Sequence, residues 1–109
     1  MTITREQFLK GVTDWNNHLP LLWLALEETK TGDVVEMGCG DGSTRQLHEY
    51  CKENKRVLFS FDTDQAWIAK FKDCETVNHR FHYIENNWHI AKDICPNPFV
   101  ILIDHAPGE

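Results

Sequence analysis

The sequence predicts an α/β domain with a mainly parallel sheet and helices on both faces. Three observations carry this. From residue 33 onward, short runs rich in β-branched and aromatic residues alternate with segments of helical spacing, the pattern of βαβ units. Between the first run and the helix after it lies Gly38-Cys39-Gly40-Asp41-Gly42, a turn with no side chain at three points. The second run ends in an acid, Asp62. Right-handed crossovers then give strand order 3-2-1-4. A single domain over 1–109 is expected, with N-terminal helices in 1–32 and the βαβ core in 33–109.

Thr4-Arg5-Glu6-Gln7 has the form of a capping box, predicting a short helix from residue 5 that stops near Gly11. Residues 14–18 read as a polar turn anchored by Trp15, with His18 as a turn residue. Pro20 suits the first turn of a second helix, and Gly32 suits its stop. Leu22, Ala25 and Leu26 would form its buried stripe; Glu27, Glu28 and Lys30 would face outward.

Strand one is expected at 33–37, a helix at 43–54, strand two at 56–61 and a helix at 65–72. Strand three follows at 80–84, a short helix at 88–94 and strand four at 99–103. Leu47 with Cys51, and Trp67 and Ile68 with Phe71, repeat at helical spacing as core contacts. His79 and His82 read as solvent-facing residues of the third strand.

Eleven basic residues against seventeen acidic ones give a net charge of −6. That balance disfavours a nucleic-acid partner, which needs clustered Lys and Arg. No apolar run approaches a membrane span, and the N-terminus lacks the basic and apolar regions of a signal peptide. Cys39, Cys51, Cys74 and Cys95 are scattered, without C-x-x-C spacing. They suit a reducing cytoplasm, and no histidine cluster has metal-ligand spacing.

The glycine turn is the main functional signal. Glycine lets a ligand approach the backbone, and the helix beyond offers unpaired N–H groups and a positive dipole end. A nucleotide-like ligand fits. The dinucleotide fingerprint G-x-G-x-x-G would need a third glycine at position 43, where Ser43 stands; the third glycine is Gly42. This spacing argues against a nicotinamide-dependent dehydrogenase. Asp62 lies twenty residues beyond Gly42, the offset at which a βαβ unit places a carboxylate near a ribose. A carboxylate accepts from both hydroxyls of a diol. Asp64 would begin the next helix.

The E-x-G-x-G-x-G form, Glu36 to Gly42, resembles motif I of the class I S-adenosylmethionine-dependent methyltransferases. The resemblance covers residues 33–109 and implies S-adenosylmethionine as cofactor. It implies that Glu36 helps hold the methionine amino group, often through water. Gly38, Gly40 and Gly42 would admit the ligand, with Cys39 and Asp41 contributing backbone groups. It also implies that Asp62 holds the ribose, and that Asn87 and Trp88 stand where the family binds adenine. Methyl transfer needs the donor and acceptor held in line, so no nucleophile motif is required.

Asp104 and His105 follow strand four and would project toward an acceptor, His105 as a general base; capping the strand end is their other reading. Asp104 is also similar to the first magnesium ligand of some small-molecule O-methyltransferases. Asp104-His105-Ala106-Pro107 departs from the D/N-P-P-aromatic motif of nucleic-acid amino-group methyltransferases. The acceptor expected is therefore a small molecule. A non-catalytic module binding S-adenosylmethionine or S-adenosylhomocysteine remains the alternative. The family's sheet has seven strands and this chain has four candidates, so the expectation is an N-terminal part truncated after the fourth strand. Residues 99–103 are apolar on both faces. As a sheet edge they would invite self-association.

Overall fold

The computed structural model describes residues 4–9, 19–41, 43–85, 87 and 89–103. Gly42, Trp88, Asp104 and His105, with the segment holding Trp15 and His18, lie outside them.

Among the described residues four parallel strands form one sheet in the order β3-β2-β1-β4. They are β1 (Val34–Met37), β2 (Leu58–Asp62), β3 (His79–Tyr83) and β4 (Val100–Ile103). The helices are α1 (Arg5–Phe8), α2 (Leu19–Thr29), α3 (Thr44–Glu53), α4 (Gln65–Ala69) and α5 (His89–Ile94), with a 3-10 turn at Lys72–Cys74. The α/β class and the strand order are those the sequence predicts. The sheet order reverses between β1 and β4, and in open α/β sheets ligands bind beyond the strand ends near such a reversal.

Side-chain period two divides the sheet into two faces. On one, Val34, Leu58 and Val100 meet Phe8, Leu22, Leu26, Leu47, Tyr50 and Cys51 from α1, α2 and α3. On the other, Val35, Phe59 and Phe61 meet Ile84 and, from the α5 side, Ala91 and Cys95. Each fully buried Leu or Phe contributes roughly 1.5–3 kcal/mol. All four cysteines are buried free thiols.

Local chemistry explains the element boundaries. Thr4 closes the expected capping box: its hydroxyl accepts from the Gln7 amide at 3.1 Å, and the Gln7 side chain accepts from the Thr4 amide at 2.8 Å. Helix α2 ends at Thr29, after which Lys30 turns left-handed with φ 62°. The buried guanidinium of Arg56 then satisfies the helix end. It donates to the carbonyls of Leu26, Thr31 and Gly32 at 2.9–3.0 Å and to the Thr29 hydroxyl at 3.0 Å. A cation there also suits the negative end of the helix dipole. Gly32 is required twice over: its φ is +97°, and a Cβ would stand 2.5 Å from the Phe99 ring.

Several expectations need correction. Arg56 precedes β2 as this cap and is no strand residue. His79 is 2 % exposed, because its place on β3 points it under α3; His82, three residues on, falls on the opposite face, half-buried and stacked on Phe61 at 5.3 Å. Phe71 is buried as expected, but Trp67 and Ile68 are half-buried, and short α4 buries none of its residues fully. Among the described residues β4 pairs with β1 alone, and Phe99, Ile101 and Ile103 are more than half exposed. No described helix is long and apolar enough to cross a membrane.

Candidate functional site

The site builds from the end of β1. Gly38 takes φ 104°, a left-handed turn that L side chains resist. It swings the chain off the sheet while its N–H donates to the Phe61 carbonyl at 2.7 Å. The next amide, Cys39, donates to Asp62 Oδ2 at 2.8 Å, and the Asp64 amide donates to Asp62 Oδ1 at 3.0 Å. Asp62 thus ties the loop after β1 to the loop after β2. Each oxygen accepts one of these backbone protons, and a carboxylate offers about four lone-pair sites, so this pairing leaves acceptor capacity on both oxygens. Asp64 caps α4 as expected, accepting from the amides of Ala66 and Trp67 at 3.0 and 3.2 Å.

Glu36 lies beneath the glycine loop, fully buried. Its carboxylate accepts from Ser43 Oγ at 2.5 Å, from Thr44 Oγ1 at 2.9 and 3.0 Å, and from Ser60 Oγ at 2.8 Å. A buried charge needs such hydrogen bonds, and the N-terminus of α3 favours a negative charge. Thr44 Oγ1 in turn accepts from the Gly40 amide at 2.8 Å. Glu36 therefore organises the loop from below, through hydroxyls, in a position enclosed by protein.

Cys39 is buried, and its pKa is pushed well up, first by burial and then by the charges of Glu36 and Asp62. The thiol stays protonated and is a poor nucleophile. Its carbonyl accepts from the Trp67 indole N–H. Lys70 sits 4.3 Å from the Trp67 ring centroid and pairs with Asp41 at 3.0 Å. Both charges are well exposed, so this pair adds little stability. Helix α4 thus straps the loop from outside. A core reading of Trp67 misses this, although an indole N–H in a partly buried place asks for a partner.

The Asn87 side-chain oxygen accepts from the His89 amide at 3.2 Å. The structure brings Glu36, Gly38, Cys39, Gly40, Asp41 and Asp62 together around one loop. Asn87 sits at the start of α5, and Gly42, Trp88, Asp104 and His105 are outside the described residues. A cavity of about 260 Å³, lined by Val35, Met37, Ala91, Cys95, Pro98 and Ile101 among others, touches none of the glycine loop; it is the open flank beside β4. Among the described residues no group of three His, Cys, Asp or Glu side chains could hold a metal ion.

Sequence reasoning missed Ser60, His79 and His48. Ser60 Oγ lies 2.8 Å from His79 Nε2, and His79 Nδ1 lies 3.0 Å from His48 Nδ1. Burial, then the nearby His48, pushes the His79 pKa down to about 3. The His48 pKa is lowered too, first by burial.

Comparison with protein-family models, with curated proteins and with solved structures finds no match to this chain.

Proposed function

We propose that this chain is the S-adenosylmethionine-binding domain of a methyltransferase that acts on a small molecule. The observation that carries the reading is Asp62: an acid at the carboxyl end of β2, joined to the glycine loop by the Cys39 amide, with acceptor capacity left on both oxygens. A ribose diol is a natural partner for that arrangement. The E-x-G-x-G-x-G spacing supports the same ligand, and the left-handed Gly38 supports its close approach to the backbone.

In this reading Asp62 takes the ribose hydroxyls and the backbone of residues 38–40 lines the ligand. Glu36 keeps that backbone in place through Ser43 and Thr44, so it serves the methionine end indirectly. S-adenosylmethionine supplies a methyl group already activated on its sulfonium. The protein contributes position and orientation. Buried free thiols fit a reducing compartment such as the cytoplasm.

Calorimetric titration with S-adenosylmethionine, S-adenosylhomocysteine and NAD tests the reading. The two sulfur ligands should bind and NAD should bind more weakly. Tighter binding of NAD, or no binding of the sulfur ligands, would overturn it.

A further inference from the structure

Four polar side chains from four elements stand in a row under the glycine loop: Glu36 of β1, Ser60 of β2, His79 of β3 and His48 of α3. The links are 2.8 Å from Glu36 Oε1 to Ser60 Oγ, 2.8 Å from Ser60 Oγ to His79 Nε2, and 3.0 Å from His79 Nδ1 to His48 Nδ1. The first three residues are at most 2 % exposed, while His48 is half-buried at a surface cavity of about 200 Å³. We propose that His48, His79 and Ser60 form a proton wire through which solvent sets the protonation of Glu36, and with it the order of the glycine loop.

Proton counting fixes the direction of every link. A serine has one hydroxyl proton, and an ionised Glu36 can only accept, so Ser60 donates to Glu36. Ser60 must then accept from His79 Nε2–H. A neutral His79 has a bare Nδ1, so the proton between the two rings belongs to His48 Nδ1. All three donors point inward at Glu36.

One added proton reverses the chain. It enters at His48 Nε2 and makes a His48 cation. The His48 Nδ1 proton passes to His79 Nδ1, the His79 Nε2 proton passes to Ser60, and the Ser60 proton passes to Glu36. The end state holds a neutral His48 with its proton on Nε2, a neutral His79 with its proton on Nδ1, and a neutral Glu36. Each bond broken to hydrogen is matched by one formed, and no histidine cation is left inside.

His48 faces Arg45, Glu49 and Lys52 of its own helix, Asp73 of the 3-10 turn and His79 of β3. Glu36 faces Ser43 and Thr44 of the loop and α3, and Ser60 of β2. The thiols of Cys39, Cys51 and Cys74 feel its charge from the loop, α3 and the 3-10 turn. Neutralising Glu36 turns charge-assisted bonds from Ser43 and Thr44 into ordinary ones. Thr44 also receives the Gly40 amide, so the loop should loosen.

The test needs no ligand and stands apart from the reading of the cofactor. In the full chain labelled with ¹⁵N, ring-nitrogen shifts report the tautomers, and amide exchange reports protection at Gly40, Ser43 and Thr44. Near pH 8, His79 should carry its proton on Nε2. On acidification the His79 proton should move to Nδ1 and the His48 proton to Nε2 at one midpoint, with neither ring left as a cation. Loop protection should fall by about tenfold at the same midpoint, the change expected when one charge-assisted hydrogen bond becomes ordinary. His48→Gln keeps a donor for His79 Nδ1 but cannot titrate, so its loop protection should stay flat. A His79 proton on Nδ1 near pH 8, or the same pH-dependent loss in His48→Gln, would overturn the proposal. The wild-type tautomers decide the matter even if the variant does not fold.

Discussion

Acidifying the solution from about pH 7.5 to 5 should destabilise the fold by about 2 kcal/mol through His79 alone. Burial and the neighbouring His48 push the folded-state pKa to about 3, against about 6.5 in the unfolded chain. Between those values the unfolded chain takes up a proton that the folded protein refuses. The contribution is therefore complete above about pH 6.5 and falls by about 1.36 kcal/mol per unit as pH drops toward 3. Over the 1.5 units or so from 6.5 to 5 that amounts to about 2 kcal/mol, a large share of the roughly 5–15 kcal/mol typical of a domain. His48 and His82 are also lowered, mainly by burial, and act in the same direction. Asp73, held below the usual carboxylate range by Arg45, acts only at lower pH. Urea unfolding at several pH values, in wild type and His79→Gln, measures the effect. The variant retains an amide donor and acceptor but does not titrate, so its loss on acidification should be smaller by about 2 kcal/mol. Equal pH slopes in the two proteins would refute the argument.

Other perturbations have distinct signatures. Asp62→Ala should weaken S-adenosylhomocysteine binding by about tenfold or more, since hydrogen bonds to a charged group contribute about 1.5–3 kcal/mol. Asp64→Ala should cost about 1 kcal/mol of stability as a lost cap and leave calorimetric affinity nearly unchanged. Arg56→Met should lower urea stability by about 3 kcal/mol or more, because three carbonyls and the Thr29 hydroxyl lose their donor together. Sedimentation of the wild type should show self-association that grows with concentration through β4, and Ile101→Lys should reduce it, as a charge blunts an open apolar edge.

The fold was legible where the signal is local. Period-two and helical spacings locate the strands and helices, and Thr4, Pro20 and Asp64 mark helix starts through neighbours one to three residues away. The glycine loop and Asp62 were legible as a pair because the βαβ unit fixes their offset. The buried roles of Arg56 and His79 were not. Arg56 binds carbonyls 24 to 30 residues earlier, and His79 meets His48 across 31 residues. Taken alone, each is a polar residue at or just before the start of a strand, the ordinary place for an exposed one. Only the approach of His48 from α3, and of the C-terminal end of α2, makes them interior. Glu36 was assigned to the ligand by its place in the motif. Its enclosure depends on Ser60, which shows no distinguishing pattern within an apolar strand.

Those polar residues share one face of the sheet, and their order along it is informative. At the start of the strands this face carries Val34, Leu58 and Val100, packed in the core with α2 and α3. Two residues on, it carries Glu36 and Ser60, and at the end of β2 it carries Asp62. Parallel strands align these steps, so the interior changes from apolar to hydrogen-bonded within about 7 Å of strand rise. Apolar side chains there could not hold the amides of residues 39 and 40, which find acceptors in Asp62 and Thr44. The glycines of the loop supply no side chains for its anchoring. The burden falls on the sheet beneath it, and buried acids and hydroxyls at the strand ends are the groups able to carry it. The polar end of the sheet is thus a structural requirement of a glycine-rich loop at this position.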